Sequence, residues 1–222
     1  MAFNVPADKD MVRRVLAKHY RPNSGGDGPS WLTLLGHSRD SLWSTDLFRC
    51  ESLILNTHWV MVVMDQYTRR IIGFAVHKGT VDGPAVCRMF GRIISGAAPP
   101  THLSSDNDPL FEFHRWKANL RILEVEQIKT VPYVPMSHPF VERLIGTIRR
   151  EYLDHVPFWN AKDLEKKLSC FQDYYNRERA HQGIGGTTPE PVLEDSARSI
   201  AFIDAYRWKS CCRSLYQLPI AA

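Results

Sequence analysis

The sequence predicts an α/β fold: a layered central sheet with helices on both faces. Three observations predict it. Short strand-like runs come first, at 42–48, 58–65 and 69–78, and helical and strand patterns then alternate. The second run, HWVMVVMD, is almost continuously apolar, which suits a strand covered on both faces. The chain has 222 residues, 44% of them apolar, enough for one well-buried core.

In chain order, residues 8–20 place Met11, Val12, Val15 and Leu16 at helical spacing. The Gly, Pro and Ser-rich stretch RPNSGGDGPS then reads as a linker. Residues 1–40 are therefore expected to be a short helix and a tether, the remnant of an upstream DNA-binding region. A core is expected over 41–192. Within it the three strands lead to a helix at 82–95, with Asp82 as its N-cap. A short strand follows at 101–106, after Pro99–Pro100. Residues 111–120 are expected to be helical and 122–130 a strand.

Two amphipathic helices close the core. Residues 137–155 carry Val141, Leu144, Ile145, Ile148 and Tyr152 on one stripe, with Pro139 in the first turn. Residues 161–179 place Leu164, Leu168, Phe171 and Tyr175 at helical spacing, with Asn160 as the N-cap and glycines beyond the end. Residues 193–222 show weak periodicity, and the sequence predicts a tail with a short helix there.

Composition excludes several classes. Lys plus Arg number 28 against 24 acidic residues, a formal charge of +4, which permits a nucleic-acid partner without requiring one. No stretch is long and apolar enough for a membrane span, and the N-terminus lacks a signal-peptide core. Five scattered cysteines fit a reducing cytosol better than a disulfide scaffold, and none has zinc-finger spacing.

Three acids stand at element ends: Asp46, Asp106 and Glu142. Taken singly, the two aspartates are ordinary turn or cap residues and Glu142 is a first-turn acid favoured by the helix dipole. Together they match a chemical need. Phosphodiester cleavage needs an activated oxygen nucleophile and a stabilised leaving oxygen, and two divalent ions about 3.5–4 Å apart supply both. Such ions take oxygen ligands, and the acids' mutual repulsion is relieved when a cation binds.

The pattern resembles the retroviral-integrase superfamily, which includes bacterial insertion-sequence transposases of the DDE type. Thirty-five residues lie between Asp106 and Glu142, with an upstream Asp in a Trp-containing first strand. The run VVMDQYTRRIIGFAV is similar to the family's second and third strands, with Asp65, Thr68 and Arg69 in the turn. The run YYNRERAHQGIGGTTPEPV is similar to its closing segment. Two positions depart from the family pattern. Asp108 stands where a Gly is usual, and so offers an alternative to Asp106 as the ligand. Ser137-His138-Pro139 stands where an Asn often precedes the Glu.

The resemblance implies an RNase H-like fold, a mixed central sheet of about five strands with helices on both faces. It implies an enzyme that cleaves DNA ends and transfers strands, with Asp46, Asp106 and Glu142 as ligands of two Mg²⁺ or Mn²⁺ ions per site. Arg143, Thr147, Arg149 and Arg150 are expected to follow a DNA backbone beside the metals, although a solvated helix face is the plainer alternative. His138 could touch the scissile phosphate or be a helix-end histidine without a catalytic part. Asp65 is expected to hold its turn, by pairing with Arg69 or Arg70. Lys117, Arg121 and Lys129 could widen the basic patch. The expected partners are element ends and target DNA, further copies of the chain, and a separately encoded helix-turn-helix protein, in a bacterial cytoplasm without membrane association. Two rivals remain: an RNase H-like nuclease that does not join ends, and a catalytically dead, transposase-derived DNA-binding protein.

Overall fold

The structure, a computed structural model, describes residues 42–96, 98–129, 139–190 and 206–221. The expected helix at 8–20, its linker and His138 lie outside the described residues. Strand β1 (Leu42–Glu51) pairs antiparallel with β2 (Thr57–Asp65), and β2 pairs antiparallel with β3 (Ile71–Lys78). On its other edge β1 runs parallel to β4 (His102–Ser105), which runs parallel to β5 (Glu126–Lys129). The order β3-β2-β1-β4-β5 makes the five-stranded mixed sheet that the sequence predicts.

Strand alternation divides the core into two. On one face Trp43, Met61, Val63 and Leu103 pack with Phe90 and Trp116, from helices α1 (Gly83–Ile94) and α3 (His114–Ile122). On the other, Phe48, Val60, Val62 and Met64 pack with helices α4 (Pro139–Ile148) and α5 (Ala161–Arg177). Each large apolar side chain buried this way contributes about 1.5–3 kcal/mol.

The expected caps are in place. Asp82 Oδ1 accepts from the Ala85 N–H at 2.8 Å and Asn160 Oδ1 from the Asp163 N–H at 3.0 Å. Near the end of α5, Asn176 ties the helix to β3. Its Oδ1 accepts from the Ile71 N–H and its Nδ2 donates to the Ile71 carbonyl, both at 2.9 Å.

Four elements differ from expectation. The helix predicted at 111–120 is two: α2 (Pro109–Glu112), capped by Asp108, and α3. They break at Phe113, whose extended backbone (φ −58°, ψ 134°) turns its ring onto Gly83. A Cβ on Gly83 would lie 2.1 Å from that ring, so only glycine fits there. Strand β5 is shorter than 122–130, because α3 runs on to Ile122 and a turn with Glu124 at φ +57° follows. The helix predicted over 137–155 ends at Ile148 and passes into a wider π turn, Arg149–Leu153, with Tyr152 stacked on Phe171.

The fourth difference is the C-terminal segment, whose described part contains no helix. Strands β6 (Tyr206–Cys211) and β7 (Tyr216–Ala221) form a hairpin. Cys212 at its turn is buried in the same core as Phe171, and the Tyr216 ring stacks on Tyr174 at 4.4 Å. Alternation in these short strands carries too weak a signal, since what orders them is packing against α5.

Candidate active site

Strands β1 and β4 set the first two acids side by side. Their register pairs Leu42 with His102, Trp43 with Leu103 and Ser44 with Ser104. Two residues further along each strand stand Asp46 and Asp106. Adjacent strands lie about 4.8 Å apart, and residues two apart share a face. By parity Asp46 shares the face of Phe48, against which Val141, Leu144 and Ile148 of α4 pack. Glu142, the residue after Val141, is exposed in the first turn of that helix.

The electrostatics follow from this placement. Burial pushes the Asp46 carboxyl up to about 7, and the charges of Asp106, Glu142 and Asp108 raise it further against the pull of the Leu47 amide. That N–H donates to Asp46 Oδ1 at 2.7 Å. Asp106 is also raised, first by burial, while the Asp108 N–H donating to its Oδ1 at 3.1 Å pulls it down. All three expected acids thus act on one carboxyl, from three separate segments. Even so, among the described residues no group of three or more His, Cys, Asp or Glu side chains stands close enough to hold an ion. As a donor set the acids suit a hard divalent cation: all are carboxylates, and their clustered charge is relieved when a cation binds.

Asp108 has a structural task. Its Oδ1 accepts from the Leu110 N–H at 2.8 Å, capping α2. Asp65 holds its turn, but through backbone amides: its Oδ1 accepts from the N–H groups of Tyr67 at 2.7 Å and Thr68 at 3.2 Å. Arg70 pairs instead with Glu190, at 3.0 Å.

The expected basic patch divides. Arg143 and Thr147 line a hollow with Arg69, Arg179 and His181, and Thr147 is only 8% exposed. Arg149 lies in a different hollow, with Arg49 and Cys50, where its Nη2 donates to the Arg49 carbonyl at 3.1 Å. Arg150 folds back over Gly146, where an added Cβ would lie 2.9 Å from its Nη1. Lys117 and Lys129 both pair with Glu112, so neither leaves a free charge to widen the patch. Sequence reasoning saw Arg69 and the 174–192 run as separate motifs. Their meeting at one hollow has no local periodicity to announce it.

The comparisons with known proteins agree with this architecture. Residues 123–189 match the family model of the integrase core domain. A 39.2 kDa protein of insertion element IS476 from Xanthomonas euvesicatoria is 25% identical over 129 residues, 58% of this chain and 37% of that protein. The transposase InsD of insertion element IS2D from Escherichia coli K12 is 26% identical over 113 residues, 51% of this chain and 37% of that protein. These matches therefore span little more than a third of either relative. The HTLV-2 integrase catalytic core domain, solved with magnesium in a dimeric form, aligns with a TM-score of 0.51. That alignment covers 68% of this chain and 93% of that one at 15% identity, a likeness of fold. Sequence and fold together show that the chain carries an integrase core domain of the transposase and retroviral-integrase kind, on an RNase H-like fold.

Proposed function

We propose that this chain is the catalytic core of a DNA transposase that cuts the ends of a mobile element and joins them to a target. One observation carries the reading: burial and the charges of Asp106, Glu142 and Asp108 hold the Asp46 carboxyl at about 7. Gathering like charges in a partly desolvated place costs stability, and a divalent cation offsets that cost. The solved HTLV-2 domain with magnesium, and the insertion-element relatives, support the same reading.

In this reading Asp46, Asp106 and Glu142 would hold two Mg²⁺ or Mn²⁺ ions. Bound ions would supply a more acidic attacking hydroxyl and a stabilised leaving oxygen. The chain's own contribution is position. Asp46 and Asp106 stand on adjacent strands of a packed sheet, and α4 is pinned to that sheet by its apolar stripe, so the carboxylates need little reorganisation. Arg143, Arg149, Arg150 and His138 would contact phosphates, and Thr147 would support Arg143 from the hollow's wall. Water cuts first, and the freed 3′ oxygen then attacks a target phosphorus in line and displaces the target's 3′ oxygen. No Ser, Tyr or Cys nucleophile takes part. Further copies of the chain and a separately encoded helix-turn-helix protein would bring two ends together, in a bacterial cytoplasm. No helix among the described residues is long and apolar enough to cross a membrane.

A second reading, a catalytically dead DNA-binding derivative, is favoured by Asp108 in place of the usual Gly and by the absence of a ready ion cage among the described residues. A strand-transfer assay with pre-cut duplex ends and Mn²⁺ separates the readings. Joined product from the native chain, lost in Asp46→Asn, Asp106→Asn and Glu142→Gln, supports the transposase. Cleavage without joining leaves a nuclease. DNA binding with no product of either kind leaves the dead derivative.

A further inference from the structure

Arg143 follows Glu142 in the chain yet lines a hollow of about 460 Å³ with Arg69, Phe140, Thr147, Arg179 and His181. Arg69 comes from the turn between β2 and β3, at φ +64°, and its guanidinium lies 3.4 Å over the Phe140 ring. Its Nη1 is buried without a hydrogen-bond partner. Among the described residues no acid pairs with Arg69, and no hydrogen bond or ion pair engages Arg143.

The third cation is fixed. Arg179 forms a two-pronged pair with Glu151, at 2.9 and 2.7 Å, and its Nη1 donates to His181 Nδ1 at 3.2 Å. His181 Nδ1 is therefore the bare nitrogen, and Nε2–H donates to the Tyr175 carbonyl at 3.3 Å. So Arg179 and His181 form a rigid wall, while Arg69 and Arg143 keep donors to spare.

Stacking on Phe140 explains where Arg69 lies. It does not explain a buried N–H without an acceptor, nor a second uncompensated guanidinium close enough to act on the first. Both cations stand at the first turn of α4, the positive end of a helix. Like charges held there are stabilised by an anion, and a guanidinium fork fits a phosphate.

We propose that this hollow is an oxyanion site that seats one backbone phosphate of duplex DNA, gripped by Arg69 and Arg143. The source of the phosphate rests on the transposase reading, but the chemistry of the hollow does not. The site uses no metal. It would fix the duplex on the helix that also carries Glu142.

The test uses the full chain in EDTA, with two readouts. Anisotropy of a labelled duplex is followed between about 50 and 200 mM salt, where each lost phosphate contact lowers the log–log slope by about 0.9. Thermal midpoints are measured with inorganic phosphate against chloride at equal ionic strength. Arg143→Gln is expected to lower the slope by about 1 and to abolish the phosphate-induced rise. Arg69→Lys keeps the charge and the stack but loses the fork, and is expected to reduce that rise. DNA binding with both slope and phosphate response unchanged in folded Arg143→Gln overturns the site and leaves the transposase reading standing. Phosphate protection lost in Arg143→Gln, in a chain that binds no duplex, keeps the site and removes the DNA reading.

Discussion

Glu142 and Arg143 are consecutive on α4, and the two regions they serve are opposite in sign. Around Asp46, carboxylates from β1, the end of β4 and α4 act on one another through charge. Around Arg69, guanidinium groups from the β2–β3 turn, α4 and the segment after α5 line one hollow. Each region is internally repulsive, and each would be stabilised by a ligand of the other sign. They differ in how they are held. The acids stand on sheet and helix with few fixed hydrogen bonds. One of the cations is locked by Glu151 and His181 while two keep open donors. A cation-seeking place is left adaptable, and an anion-seeking place has a rigid wall.

The largest expected effect comes from breaking the acidic region alone. Asp46→Asn should lower Mn²⁺-dependent strand transfer by about 10³-fold or more, the scale of several kcal/mol of metal stabilisation. DNA binding in EDTA should persist, and its loss would show that the two regions are not separate. Breaking the scaffold beneath both comes next. Asn176→Ala leaves the buried Ile71 N–H and carbonyl without their side-chain partners, and is expected to cost about 2–4 kcal/mol in urea denaturation. A cost below 1 kcal/mol would mean that α5 is docked by its apolar stripe alone.

The pH dependence sharpens the acidic side. The Asp46 carboxyl binds its proton near 7 in the fold, against 3.8 ordinarily, so folding takes up a proton between those values. Metal-free stability should fall as pH rises through that window, with the loss complete above 7. Its size is about 2 kcal/mol once solvent screening is allowed for. Asp46→Asn should flatten the curve, and Mn²⁺ should stabilise the native chain most above pH 7. A native curve no steeper than the variant's would remove the argument. The smallest effect tests the hairpin. Tyr216→Phe removes the hydroxyl that donates to the Glu151 carbonyl, and should cost about 1 kcal/mol. A neutral result would leave the stack on Tyr174 as the hairpin's anchor.

Much of the fold was legible in the sequence. Period-two and period-3.6 patterns report burial directly, and the caps Asp82 and Asn160 are local chemistry, so β1 to β4, α1 and α5 stood close to where they were expected. The errors share a cause. Phe113 breaks a helix because its ring meets Gly83, thirty residues away in the chain, and the π turn after Ile148 buries Tyr152 against Phe171. The hairpin at 206–221 depends on α5 in the same way. The three acids were legible by spacing and resemblance, and the structure brings their charges to bear on one carboxyl. Arg69 was read only as part of a turn.

By itself the sequence determined the layers, the strand faces and the identity of the acids, because burial pattern and capping are written in near neighbours. Only the tertiary structure decided which charges meet. The β1–β4 register aligns Asp46 with Asp106, and the packing of α4 sends Glu142 towards one region and Arg143 towards another. Coulomb interactions depend on distance through space, and distance along the chain carries no record of it.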